Sequence, residues 1–75
     1  MDEDITKEEF VMNLVLMGFV NKYHPNAFHK GNLIVSPPRD ERISKRIHIH
    51  KQNNGSQTYF HYHTALNKIT EIINQ

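Results

Sequence analysis

The sequence predicts an α+β domain: a helix, a three- or four-stranded antiparallel sheet and a second helix, with both helices on one sheet face. Three observations predict it. A capping signal at Thr6 opens an apolar run, two alternating runs flank the bend at Asn54-Gly55, and an amphipathic pattern follows Thr64. At 75 residues, 37% hydrophobic and 23% charged, the chain fits one domain spanning residues 1–75, with residues 1–4 expected to fray. Its core must be thin, because so short a chain buries only about 60% of its unfolded surface.

The first helix has its start written twice. Thr6 at the N-cap and Glu9 three residues on make a capping box, while Ile5 and Phe10 make a hydrophobic staple. Gly18 suits the position just past the end, so the helix should run from Lys7 to Met17. Asp4, Glu8 and Glu9 then lie where the helix dipole favours negative charge, which gives this acidic cluster a structural reason. Phe10, Leu14 and Met17 form a core stripe, but Met12, Val15 and Leu16 project elsewhere and need a cover. Neighbouring loops could supply it; so could a homodimer or a partner protein.

Phe19 to Tyr23 reads as a first strand ended by Pro25, and Leu33 to Val35 as a second, stopped by Ser36, Pro37 and Pro38. A loop carrying Arg39, Asp40, Glu41 and Arg42 leads to a hairpin over Ile43 to His63. Pairing Asn53 with Ser56 around a type I′ turn sets Lys51 opposite Thr58, Ile49 opposite Phe60, His48 opposite His61 and Ile47 opposite Tyr62. Ile43, Ile47, Ile49, Phe60 and Tyr62 would share the core face, and Arg46, His48, His50, Tyr59, His61 and His63 the opposite one. Thr64 then caps a second helix that turns Ala65, Leu66, Ile69, Ile72 and Ile73 inward.

Composition removes several function classes. With no cysteine, neither disulfides nor thiolate metal sites are available. The longest apolar run, Phe10 to Val20, is broken by Asn13, is too short to span a bilayer, and follows acidic residues where a signal peptide would need basic ones. The reading is a cytoplasmic protein with no membrane partner. Formal net charge is +1, yet five of the eight acidic residues lie in the first nine positions, which leaves the remainder at +5. That body could meet nucleic acid or an acidic protein surface, although it lacks a dense Lys/Arg cluster. The prevalence of Asn, Ile and Lys fits AT-rich coding, of which a phage or other compact virus is one source.

The hairpin admits three chemistries. His48, His50, His61 and His63 on one face, with cross-strand Cβ atoms about 5 Å apart, could hold zinc through three imidazoles, but neither strand offers a carboxylate to orient the rings. Alternatively, Tyr59 and the imidazoles could stack on bases while Arg39, Arg42, Lys45, Arg46 and Lys51 meet phosphates. Neighbouring imidazoles would also repel once protonated, making any contact through this face pH-dependent.

The order helix, strands, helix resembles the double-stranded RNA-binding domain and the HicA-type toxin fold in topology. The chain has Thr64-Ala65-Leu66-Asn67-Lys68 where the first carries Lys-Lys-x-Ala-Lys, and His29-Lys30-Gly31 where the second carries Gly-Ser-His. No site residue carries over. A ribonuclease-like toxin would need His61 or His48 as general base beside Arg46 or Lys45, and no spacing selects that arrangement. No phosphate loop or serine-nucleophile pattern is present either. The expectation is therefore a non-enzymatic binding protein that modulates or inhibits a host protein, without a cofactor. Its contact residues would be Met12, Val15 and Leu16, or Arg46, His48, His50, Tyr59, His61 and His63, with a nucleic-acid-binding module as the alternative.

Overall fold

The computed structural model describes residues 4–52 and 55–74. Helix α1 (Lys7–Leu16) is followed by strands β1 (Phe28–Lys30), β2 (Leu33–Ser36), β3 (Ile47–Lys51) and β4 (Gly55–Tyr59), and then by helix α2 (Tyr62–Ile73). The strands pair in sequence order as one antiparallel sheet. Both helices cover the same face, where Leu33, Val35, Ile47 and Ile49 meet Phe10 and Leu14 of α1 and Tyr62, Ala65 and Ile69 of α2. The expected fold class is the observed one.

Helix α1 obeys its local signals. The Thr6 side chain accepts the Glu9 N–H at 3.1 Å. At the other end the Gly18 N–H donates to Val15 and the Phe19 N–H to Leu14, the paired bonds of a Schellman close, with Gly18 at φ +97°. The Lys30 ammonium donates to the Met17 carbonyl at 2.5 Å, placing positive charge at the helix's negative end.

The first strand lies elsewhere than expected. Within Phe19 to Tyr23 only Val20 pairs, through a single bridge to His29, and the strand proper is β1. The Asn21 side chain explains the difference by donating to the His24 and Ala27 carbonyls at 2.8 and 2.9 Å, which bends the chain before Pro25 can act. Phe19 instead enters the core.

The hairpin differs in register by an odd number of residues, and that has the larger consequence. Lys51 pairs with Gly55, His50 with Ser56, His48 with Thr58 and Ile47 with Tyr59. The bend residues Asn53 and Asn54 lie outside the described residues, as does the expected Asn53 to Ser56 pair. Gly55 takes its positive φ of +81° as the first residue of β4, so the loop between paired positions is longer than two residues. Because sheet faces alternate residue by residue, the shift turns β4 over. Tyr59 packs on the core side, Phe60 is exposed beyond the strand, and Tyr62 enters the core from α2 instead of from a strand. Ile43, expected inside, is 84% exposed.

Helix α2 begins two residues before the expected Thr64 cap, and His61 at its N-cap makes no side-chain bond. Asp4 supplies the cap from the far end of the chain. Its carboxylate accepts the Tyr62 N–H at 2.7 Å and the His63 N–H at 2.8 Å. Asp4 is thus docked rather than frayed, and serves the dipole of α2 rather than that of α1; residues 1–3 lie outside the described residues.

Candidate functional site

Three surfaces hold the side chains that the sequence singled out. The first is the outer side of α1. Met12, Val15 and Leu16, spaced i, i+3 and i+4, are 64%, 56% and 78% exposed. Met12 and Val15 line a shallow apolar hollow with Val11, bordered by Lys7 and Glu8. The neighbouring loops leave these residues uncovered: Asn21 ties the loop after Val20 to its own His24 and Ala27 carbonyls, and the β2–β3 loop is bonded to the Asn26 amide through the Pro37 carbonyl at 2.6 Å and to α1 at Lys7.

The second surface is the outer sheet face, and it holds half of the expected histidine array. His48 and His50 alternate outward between buried Ile47 and Ile49. Each ring is fixed from the opposite strand: His48 Nδ1 lies 3.2 Å from the Thr58 hydroxyl and His50 Nδ1 lies 2.8 Å from that of Ser56. His29, which the sequence reading passed over, joins this face opposite Ile34 and stacks on Tyr23 with ring centroids 4.9 Å apart. Its alternation became legible only once β1 was placed.

Of the other predicted members, Arg46 lies just before β3 and lines a cleft with His48, while Tyr59, His61 and His63 have left the face. Tyr59 lies on the core side, where its hydroxyl donates to Gln57 Oε1 at 2.5 Å. His61 is the N-cap residue of α2 and His63 lies in that helix's first turn. The four-histidine face on which a zinc site would have rested is not formed. Among the described residues no group of three ligating side chains could hold an ion.

The third surface is a cleft of about 390 Å³ at the end of β2 and β3, walled by the β2–β3 loop. Arg46 and His48 line it together with Arg39, and Ser36 and Ser44 add hydroxyls that the sequence did not mark. Asp40 also lines it, but Arg42 grips that carboxylate in a bidentate pair, Nε to Oδ1 and Nη2 to Oδ2, both at 3.1 Å. The Arg42 side chain and its backbone N–H hold the Asp40 carboxyl below the usual carboxylate range.

No protein family, curated protein or solved structure matches this chain. Electrostatics around α2 are structural in character. Desolvation works to raise the Asp4 pKa, and the N–H groups of His63, Tyr62 and Ile5 outweigh it, so the carboxyl is held below its usual value of 3.8. Burial pushes the Tyr62 phenol up, and Glu41, which accepts its O–H at 2.9 Å, pushes it further, so the phenol stays a neutral donor. No helix among the described residues is long and apolar enough to cross a membrane.

Proposed function

We propose that this is a protein-binding module that inserts the outer side of α1 into an apolar groove of a host protein and modulates it by occupancy. The observation that carries this reading is the exposure of Met12, Val15 and Leu16 on a helix that is capped at both ends and buries Phe10 and Leu14 on its inner side. Each fully buried side chain of this kind is worth about 1.5–3 kcal/mol, so a groove that covers all three gains a usable binding energy. The i, i+3, i+4 spacing is that of helix-in-groove recognition.

Size argues for a groove rather than a flat partner. A helix of 10 residues is only about 15 Å long, whereas a stable interface takes about 800 Å² from each side. A second copy of α1 laid flat against the first covers one stripe; a groove wraps the flanks as well. Glu8 and Glu9 on the first turn suit a groove with a basic rim.

The test is Met12→Lys combined with Leu16→Lys. Folding stability should be retained, while crosslinking of a host protein to a photoreactive group at position 15 is lost at both low and high salt. Host-protein capture that survives the double substitution overturns the reading, as does a light-scattering mass of two chains that the substitution converts to one.

A further inference from the structure

The geometry points to the cleft between the β2–β3 loop and the sheet end as a nucleotide-binding site, with Arg39 and Arg46 on the phosphate. The site adjoins the start of α1, where the Lys7 ammonium donates to the Arg39 carbonyl at 3.5 Å, but Met12, Val15 and Leu16 are not part of its lining, and it does not depend on the function proposed for that helix. Its charge is the first argument. Among the described residues the ion pairs are Asp40 with Arg42 and Lys68 with Glu71, so neither Arg39 nor Arg46 has a carboxylate partner. The one acid in the wall, Asp40, is neutralised by Arg42, which stands outside the wall. Two arginines that no carboxylate among the described residues engages thus line a cleft whose one acid is already paired, and guanidinium forks suit phosphate oxygens.

Shape and lining are the second argument. Ser36, Ser44 and His48 add hydrogen-bonding groups to the same wall. Thr58 engages Nδ1 of the His48 ring, which leaves Nε2 as the nitrogen available to a ligand. Pro37, Pro38 and Ile43 supply an apolar side on which a base can lie. Ile43 is the most exposed large apolar side chain among the described residues, at 84%, and nothing in the fold uses it. A volume of about 390 Å³ falls within the range of about 300–1,000 Å³ of small-molecule sites, well above what a bare phosphate fills.

The loop is also built in advance. Asp40 accepts the Arg42 N–H at 2.9 Å through its side chain and the Ile43 and Ser44 N–H groups at 3.0 and 3.1 Å through its carbonyl. Ser44 Oγ accepts the Arg46 N–H at 3.3 Å. Little ordering is left for the ligand to impose.

The experiment is an amide-resolved NMR titration of the full chain with adenosine monophosphate, inorganic phosphate and a ten-nucleotide thymidine oligomer. The monophosphate should shift Ser36, Arg39 to Arg46 and His48 at millimolar concentration or below, and phosphate alone should move the same signals at about tenfold higher concentration. A thymidine oligomer that binds tighter than the mononucleotide identifies the source as a strand; equal affinity identifies a free nucleotide. Arg39→Ala with Arg46→Ala should weaken binding tenfold or more without unfolding the protein, since both residues are exposed. Arg42→Ala should weaken it too, by releasing the Asp40 carboxylate, and Asp40→Asn in that background should restore it. Binding unchanged in the Arg39/Arg46 variant, shifts scattered over Lys22 and Lys68, or no shift at 10 mM nucleotide (roughly the weakest useful affinity) overturns the assignment.

Discussion

The two helices are finished in opposite ways. Helix α1 takes both caps from its own sequence, Thr6 at the start and Gly18 just past the end, yet leaves three large apolar side chains in water. Helix α2 sorts its residues cleanly, with Tyr62, Ala65 and Ile69 buried and Asn67, Thr70 and Glu71 exposed, but has no cap of its own and borrows Asp4. Local hydrogen bonding and side burial are thus separable contributions, and each helix lacks what the other has. A helix capped at both ends and packed through Phe10 and Leu14 needs no partner to persist, so the bare side of α1 can be offered to another molecule.

The largest expected difference tests burial. Ile69→Ala removes a fully buried side chain and should cost about 2–5 kcal/mol in urea unfolding. Val15→Ala, on the bare side of α1, should fall within about 0.5 kcal/mol of wild type. Similar losses for the two would mean that Val15 is structural and would end the contrast.

The caps come next. Asp4→Ala and Thr6→Ala should each cost about 1 kcal/mol at neutral pH, the usual worth of an N-cap. Acid separates them. The folded-state pKa of Asp4 is depressed, so its contribution is present above the unfolded value of 3.8 and is lost as the pH falls through the lower folded value. Wild type and Thr6→Ala should therefore lose stability together below about pH 4, while Asp4→Ala lacks that component. Parallel acid profiles in all three proteins would show that Asp4 does not cap α2 in solution.

The same division decides what the sequence disclosed. Thr6, Ile5, Phe10 and Gly18 announce α1 because every partner lies within a few residues, and Ile69 and its neighbours announce α2 through periodicity. Asp4 could not be paired with Tyr62 from sequence, since 58 residues separate them. The hairpin lies between these cases. Ile47, His48, Ile49 and His50 fix the faces of β3 by alternation, but the faces of β4 depend on where Gly55 takes its positive φ, and Gln57, Thr58 and Tyr59 carry no apolar alternation strong enough to choose. Half of the histidine face was therefore legible and half was not. The cleft was hidden altogether, because it depends on how the β2–β3 loop folds over Ser36 and His48.

The smallest expected effect on folding bears most on function. Leu16 is 78% exposed, so Leu16→Ser removes little buried area and should change unfolding free energy by less than about 0.5 kcal/mol. It occupies the last position of α1, where the Lys30 ammonium and the Gly18 close hold the backbone independently of the side chain. A groove that receives Leu16 loses most of the energy of burying it, about 1.5–3 kcal/mol or roughly ten- to a hundredfold in affinity. Measured side by side, partner affinity should fall while the urea midpoint stays in place. If both change together, Leu16 is part of the fold and α1 is not a helix held in reserve.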